Sequence, residues 1–183
     1  MARTLAAAFA DDPAMAFMIP DRAERVRRLE RFFPLVVAED LAAGHALHAP
    51  GSEVVTLWRG PDNLHVPLWR MAGALAGYWR ALGGNLGRAM RLSSAIAAHQ
   101  PRDLRFSHLH FAGVDPAFQG KGWGGTAIRA GQDRARAAGL PIFLETATPS
   151  NVGLYQRLGF TITGEYDVSG PRGPHFWTML WRG

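Results

Sequence analysis

Cysteine is absent from this sequence. That excludes a disulfide framework, a thiolate metal site and an acyl-enzyme formed on a cysteine thiol. Lysine is nearly absent: Lys121 stands alone, and the formal charge of +5 is carried by arginines scattered among Asp and Glu. A basic stripe that grips nucleic acid is therefore not expected, whereas a general attraction for anionic ligands is. A long apolar run is also missing. The best candidate, Leu64 to Leu82, is broken by Pro67, Arg70 and Arg80, so no membrane span is expected. The apolar start, Met1 to Ala10, meets Asp11-Asp12-Pro13 before a secretory h-region is built, which points to a helix and a cytoplasmic protein. No linker composition or repeat divides the chain, so residues 1–183 are read as one domain.

What is present is the balance of a soluble globular protein, 48% hydrophobic and 19% charged. Apolar residues at Leu5, Ala6 and Phe9 have helical spacing, and Asp11-Asp12-Pro13 stops that helix. Asp21 caps a second helix, Arg22 to about Ala43, with Val26, Leu29, Phe33, Val36 and Val37 on its buried face and Arg22, Glu24, Arg25 and Arg28 in solvent. His45–His48 and Glu53–Trp58 read as a hairpin around Pro50-Gly51. Two helical stretches follow, Pro67–Leu82 and Leu86–His99. The first carries Leu68, Trp69, Met71, Leu75, Tyr78, Trp79 and Leu82, more aromatic surface than one helix face needs, so part of it is a candidate acceptor pocket. Arg105–Val114 is the central strand. Ile142–Ala147, Phe160–Val168 and His175–Trp181 are further strands, with a short helix at Val152–Leu158 and a turn at Ser169–Pro174.

The most informative stretch is Val114 to Gly125. An apolar strand ends at Asp115-Pro116, four glycines fall within six residues, and a helical pattern runs from Thr126 to Ala138. The first amides of a helix lack intrahelical partners and carry partial positive charge. Glycines let a phosphate approach them, with Lys121 as an added cation. A surface turn with a helix cap is the plainer reading of such a segment alone. The spacing is neither a Walker loop nor the usual dinucleotide fingerprint. It is Gln-x-x-Gly-x-Gly, Gln119 to Gly124, which resembles the acyl-CoA pyrophosphate loop of the GNAT superfamily of N-acetyltransferases.

A second region carries the same resemblance. Leu144-Glu145-Thr146-Ala147-Thr148-Pro149-Ser150-Asn151, then Leu154-Tyr155-Gln156-Arg157-Leu158-Gly159-Phe160, is similar to the other half of that signature, with Asn-x-x-x-Tyr opening a helix before Gly-Phe. Within the superfamily the chain most resembles the puromycin-type enzymes, nearly end to end. It departs from them in His108-Leu109-His110, which is similar to the paired histidines of the serotonin-type enzymes. The resemblance implies an α/β (α+β) fold: a mixed, mostly antiparallel, twisted sheet, splayed between the strands around 106–114 and 142–147, with helices on both faces. The family's fold opens with a strand ahead of this first helix, and here the chain begins inside the helix, so either the sheet lacks that strand or the true start lies upstream.

The resemblance also implies acetyl-CoA as donor cosubstrate, with no metal. Gln119, Gly120, Lys121, Gly122, Trp123, Gly124 and Gly125 would hold its pyrophosphate, Ala112, Gly113 and Val114 its strand-like pantetheine arm, and Asn151 and Tyr155 would lie beside it. Tyr155 takes the general-acid position; a phenol is protonated at neutral pH and can reprotonate a leaving thiolate. His108 and His110, two apart on a strand, share a face by simple alternation and are candidates for a base or water relay. No third ligand lies at zinc spacing near them. Glu145 is the competing base, or a carboxylate that binds the acceptor amine. Tyr78, Trp79 and Trp177 are candidate acceptor contacts. The expected activity is direct transfer of acetyl to a primary amine of a small, aromatic or antibiotic-like acceptor, by a monomer or homodimer. A peptide N-acetyltransferase and a non-catalytic acyl-CoA-binding module are the other readings.

Overall fold

The computed structural model describes residues 1–64, 68–170 and 172–183, with backbone alone for 68–72. Six strands form one sheet in the order β1-β2-β3-β4-β6-β5: Gly44–His48, Val54–Arg59, Ser107–Val114, Ile142–Thr146, His175–Trp181 and Thr161–Asp167, respectively. Every neighbouring pair is antiparallel except β3 and β4. Those two are parallel and share only the rungs Ser107↔Ile142 and His108↔Phe143. Beyond His108 they part, leaving the edge of β3 that faces β4 without a strand partner through Val114. This is the expected splay. β1 is a sheet edge, and among the described residues no strand lies outside it.

The faces of the sheet are covered differently. Helices α1 (Ala2–Ala8), α2 (Pro13–Met18), α3 (Arg22–Ala43), α4 (Leu68–Leu82) and α5 (Leu86–Ala98) share one core with Val55, Leu57, Ala147 and Phe176. Phe9, Phe33 and Phe111 meet there at centroid distances of 5.3–5.6 Å, close enough for edge-to-face attraction. Helices α6 (Trp123–Ala137) and α7 (Pro149–Arg157) cover the other face over Trp58, Leu109, Leu144 and Met179.

Several elements differ from their sequence-based expectations for identifiable reasons. Asp11-Asp12-Pro13 does end α1, but Asp12 then starts a further short helix, α2. Its carboxylate accepts the amides of Ala14 and Met15, and Pro13 sits at the first helical position, where its missing N–H costs nothing. On α3, Arg25 is buried and Val26 is exposed, the reverse of expectation. The guanidinium of Arg25 satisfies the carbonyls of Ala10 (2.6 Å) and Ile19 (2.9 Å), tying down the turns on either side of α2. Arg28 likewise reaches the Ala81 carbonyl rather than solvent alone. Helix α7 begins three residues early because Pro149 fits its first turn. The expected helix start at Pro67, the side chains of Leu68, Trp69 and Met71, and Pro171 in the last turn lie outside the described residues.

Candidate active site

The glycine-rich loop bridges β3 and α6 as expected. Pro116–Phe118 forms a short 3-10 turn, Gln119 is extended, and Gly120 and Gly122 have φ of 75° and 82°. That left-handed conformation, rather than lack of room, is what requires glycine, since a Cβ at either position would meet nothing within 4 Å. Gly122 caps α6, whose first intrahelical bond runs from Thr126 N–H to the Gly122 carbonyl. The amides of Trp123, Gly124 and Gly125 precede it and are free to meet an anion at a fifteen-residue helix. Helix α6 thus starts three residues earlier than the apolar pattern suggested. The loop is exposed from Pro116 to Gly122, and Lys121 Nζ lies 5.2 Å from the Phe118 ring centre. Free amides, a cation and the open edge of β3 at Ala112, Gly113 and Val114 together fit a pyrophosphate with an extended arm.

At the splay, α7 brings Tyr155 into the sheet. Its side chain is buried, stacks edge-on against Phe160 and is pushed up to about 12 by burial and by the negative charge of Asp12. A phenol so placed keeps its proton at neutral pH. Asn151 is one turn earlier, half-buried, with its amide bonded to the Thr148 carbonyl. Asp12 is more than a helix stop. Besides capping α2, it accepts the Thr148 hydroxyl (3.0 Å), so it joins the α1–α2 turn to the start of α7. Burial raises its carboxyl above the usual range, opposed by those hydrogen bonds and by Arg25. An Asp directly before Pro, ahead of an apolar run, is the sequence signal that could have found this cap.

The two histidines lie on one side of the sheet, over the α1–α5 core, with Leu109 between them facing α6, and alternation is broken only after His110. Leu57 pairs with Phe111 and Trp58 with Leu109, so His110 is an extra residue in β3, a bulge. It places His110 and Phe111 both toward α3 and leaves the imidazole centres of His108 and His110 5.4 Å apart. Their surroundings differ. His108 is sealed, with Nε2 2.7 Å from Glu145 Oε2; their side chains are only 2% and 6% exposed. His108 Nδ1 and Glu145 Oε1 are buried without a hydrogen-bond partner among the described residues. His110 is 23% exposed, and its Nδ1 lies 2.7 Å from Asp40 Oδ2 on α3. Asp40 is fully buried, and its other oxygen accepts Arg59 Nε at 2.6 Å. Burial lowers His110 to about 4, against the raising effect of Asp40. Burial would raise Asp40, but His110 and Arg59 hold it below the usual carboxylate range.

The candidate acceptor residues do not converge. Tyr78 packs on Phe32 (5.9 Å); burial and the nearby Glu39 carboxylate raise its pKa. Trp79 is 63% exposed on the outer side of α4. With Leu75, Ala76 and Leu86 it lines an open cleft of about 470 Å³. Trp177 pairs with Thr146, whereas Thr178 pairs with Glu145, so Trp177 shares the face of Tyr155 and α7, opposite Glu145. Among the described residues no group of three or more His, Cys, Asp or Glu could hold a metal, and no helix is long and apolar enough to cross a membrane.

The profile of the acetyltransferase (GNAT) family matches residues 25–160. An uncharacterised N-acetyltransferase of Schizosaccharomyces pombe is 27% identical over 169 residues, 87% of this chain and 68% of that protein. Among solved structures, the polyamine N-acetyltransferase of Drosophila melanogaster superposes with a TM-score of 0.65 at 18% identity, covering 98% of this chain and 91% of that one. An acetyltransferase from Corynebacterium glutamicum related to histone acetyltransferase HPA2 gives a TM-score of 0.65 at 21% identity, covering 98% and 86%. At such identities the likeness is one of fold; the family match spans most of the chain. The chain belongs to the GNAT family, and it is an acetyltransferase that moves the acetyl group of acetyl-CoA to an amine.

Proposed function

We propose that the protein acetylates a primary amine on a small aromatic or antibiotic-like acceptor, by direct attack in a ternary complex, with His110 as base and Tyr155 as acid. The observation that carries this reading is the contrast between the two histidines. His108 is sealed against Glu145, whereas His110 presents part of its ring to solvent from a bulge beside the splay. The neutral amine attacks the thioester carbonyl and the C–N bond forms. Its nitrogen becomes far more acidic as it bonds, so even an imidazole with a pKa lowered to about 4 can take the N–H proton at Nε2. The C–S bond then breaks, and the leaving sulfur takes the Tyr155 proton. Gln119 to Gly125, the β3 edge at Ala112–Val114, and Asn151 hold the donor.

The aromatic pair beside this face, Phe32 with Tyr78, supports an apolar, aromatic acceptor over a highly charged one. A thiol-release assay over a panel of arylalkylamines, aminonucleosides, aliphatic polyamines and peptides, with products identified by mass, tests the assignment. Preference for the aromatic amines is expected. Turnover confined to peptides or polyamines would overturn the acceptor class. Turnover unaffected by His110→Ala would overturn the base.

A further inference from the structure

We propose that Asp40 is a positioning residue: held by Arg59, it fixes His110 in the Nδ1–H tautomer and leaves Nε2 as the proton-accepting atom. This rests on the reading of His110 as the base. The physical argument begins with burial. Asp40, three residues from the end of α3, has a side chain with no exposure at all, a position that is unfavourable for a carboxylate unless donors surround it. Two donors do. Arg59 Nε reaches Oδ1 and His110 Nδ1 reaches Oδ2, at 2.6 and 2.7 Å. Arg59 is itself anchored to the Leu64 carbonyl at 3.2 Å, which keeps the carboxylate from turning away.

An ionised carboxylate has only acceptor atoms, so the proton of this hydrogen bond belongs to His110 Nδ1. A neutral imidazole with hydrogen on Nδ1 has its lone pair on Nε2. Because Nδ1 faces the sealed Asp40, the exposed part of the ring is the edge that carries Nε2. The charges facing His110 come from three elements: Asp40 on α3, Arg59 on β2 and the imidazole of His108 on β3. Asp40 favours the imidazolium as it takes up a proton, while Arg59 and burial keep the resting ring neutral. The bulge completes the device. Under regular pairing His110 and Phe111 would face opposite sides; here both turn toward α3, the element that presents Asp40.

A double-mutant cycle with a nitrogen-15 NMR measurement tests this. His110→Ala is expected to lower kcat about 100-fold and Asp40→Asn about tenfold, each with the KM for acetyl-CoA changed less than about twofold. In the His110→Ala background, Asp40→Asn should then have no further effect on kcat. The same fold-loss in both backgrounds would mean that Asp40 acts structurally and would overturn the inference. An unchanged kcat for His110→Ala would instead remove the base on which the inference rests. The imidazole nitrogen shifts of wild-type protein need no variant to fold. They should show hydrogen on Nδ1 of His110, and a dominant Nε2–H tautomer would overturn the proposal. Asp40→Asn should also move the His110 titration to lower pH, since the negative charge that favours the imidazolium is gone; an unmoved titration counts against it.

Discussion

Glu145 Oε2 and His108 Nε2 lie 2.7 Å apart, with His108 in the last rung that β3 and β4 share and Glu145 two residues beyond it. The two side chains close the base of the splay, where neither strand can satisfy the other through backbone. Buried as they are, they serve the fold first. Glu145→Ala should destabilise the protein by about 1–3 kcal/mol, because His108 loses its partner without reaching water. Replacing both with apolar residues, His108→Phe with Glu145→Leu, should recover much of that loss. Denaturant titration measures both. If the double variant recovers stability but loses turnover entirely, the pair has a chemical role beyond closing the splay.

Tyr155 is the residue whose environment best suits proton donation. Burial and Asp12 push it up to about 12, so it remains protonated across the working range. Tyr155→Phe should lower kcat about 100-fold with little change in the KM for acetyl-CoA. Removing the hydroxyl leaves the ring packing against Phe160 in place. A melting temperature near wild type, alongside the kinetic loss, distinguishes loss of the acid from a damaged core. A rate within about twofold of wild type would end the assignment.

The α6 loop should act on donor affinity alone. Lys121→Ala is expected to raise the KM for acetyl-CoA severalfold and to weaken its dependence on salt, because an exposed ammonium near a pyrophosphate is a screened interaction. Gly122→Ala forces a left-handed φ of 82° on a residue with a Cβ. It should cost about 1–2 kcal/mol and shift the amides at the start of α6. Calorimetric titration of acetyl-CoA reads both. Unchanged affinity in both variants would place the pyrophosphate elsewhere.

Local spacing carried much of the architecture. Apolar periodicity located α1 and α3 to α7 and all six strands within a few residues, and the two motifs brought Gln119–Gly124 and Asn151–Tyr155 to the splay. What it missed depends on partners distant in sequence. Asp40 continues the Phe33, Val36, Val37 stripe of α3 at helical spacing, yet a carboxylate there looks like a break in the stripe. Its partner His110 is 70 residues away. The bulge at His110 depends on how β2 pairs with β3 and leaves no mark in β3 itself. Residue type alone groups Trp177 and Trp79 with the site. Strand parity sends the first to the α7 face, and helical position leaves the second outermost on α4.

Acid should destabilise this protein in a window set by His110. Its ordinary value of 6.5 falls to about 4 in the folded chain, chiefly through burial. The unfolded state therefore binds more protons between those values, and folding stability rises with pH there. The contribution is complete above about 6.5 and is lost as pH falls through about 4. Half-buried His45 is lowered too, by desolvation and by Arg134, and acts with the same sign. His175, exposed between Asp167 and Glu165, is raised and acts with the opposite sign, but solvent screening keeps its share small. Asp40, held low by His110 and Arg59, extends the loss below pH 4 as it takes up a proton. Stability measured by denaturant titration at closely spaced pH should fall from neutrality toward pH 4. The fall should be shallower in His110→Gln, which has no imidazole to protonate. An equal slope in the two proteins would show that His110 carries none of the acid sensitivity.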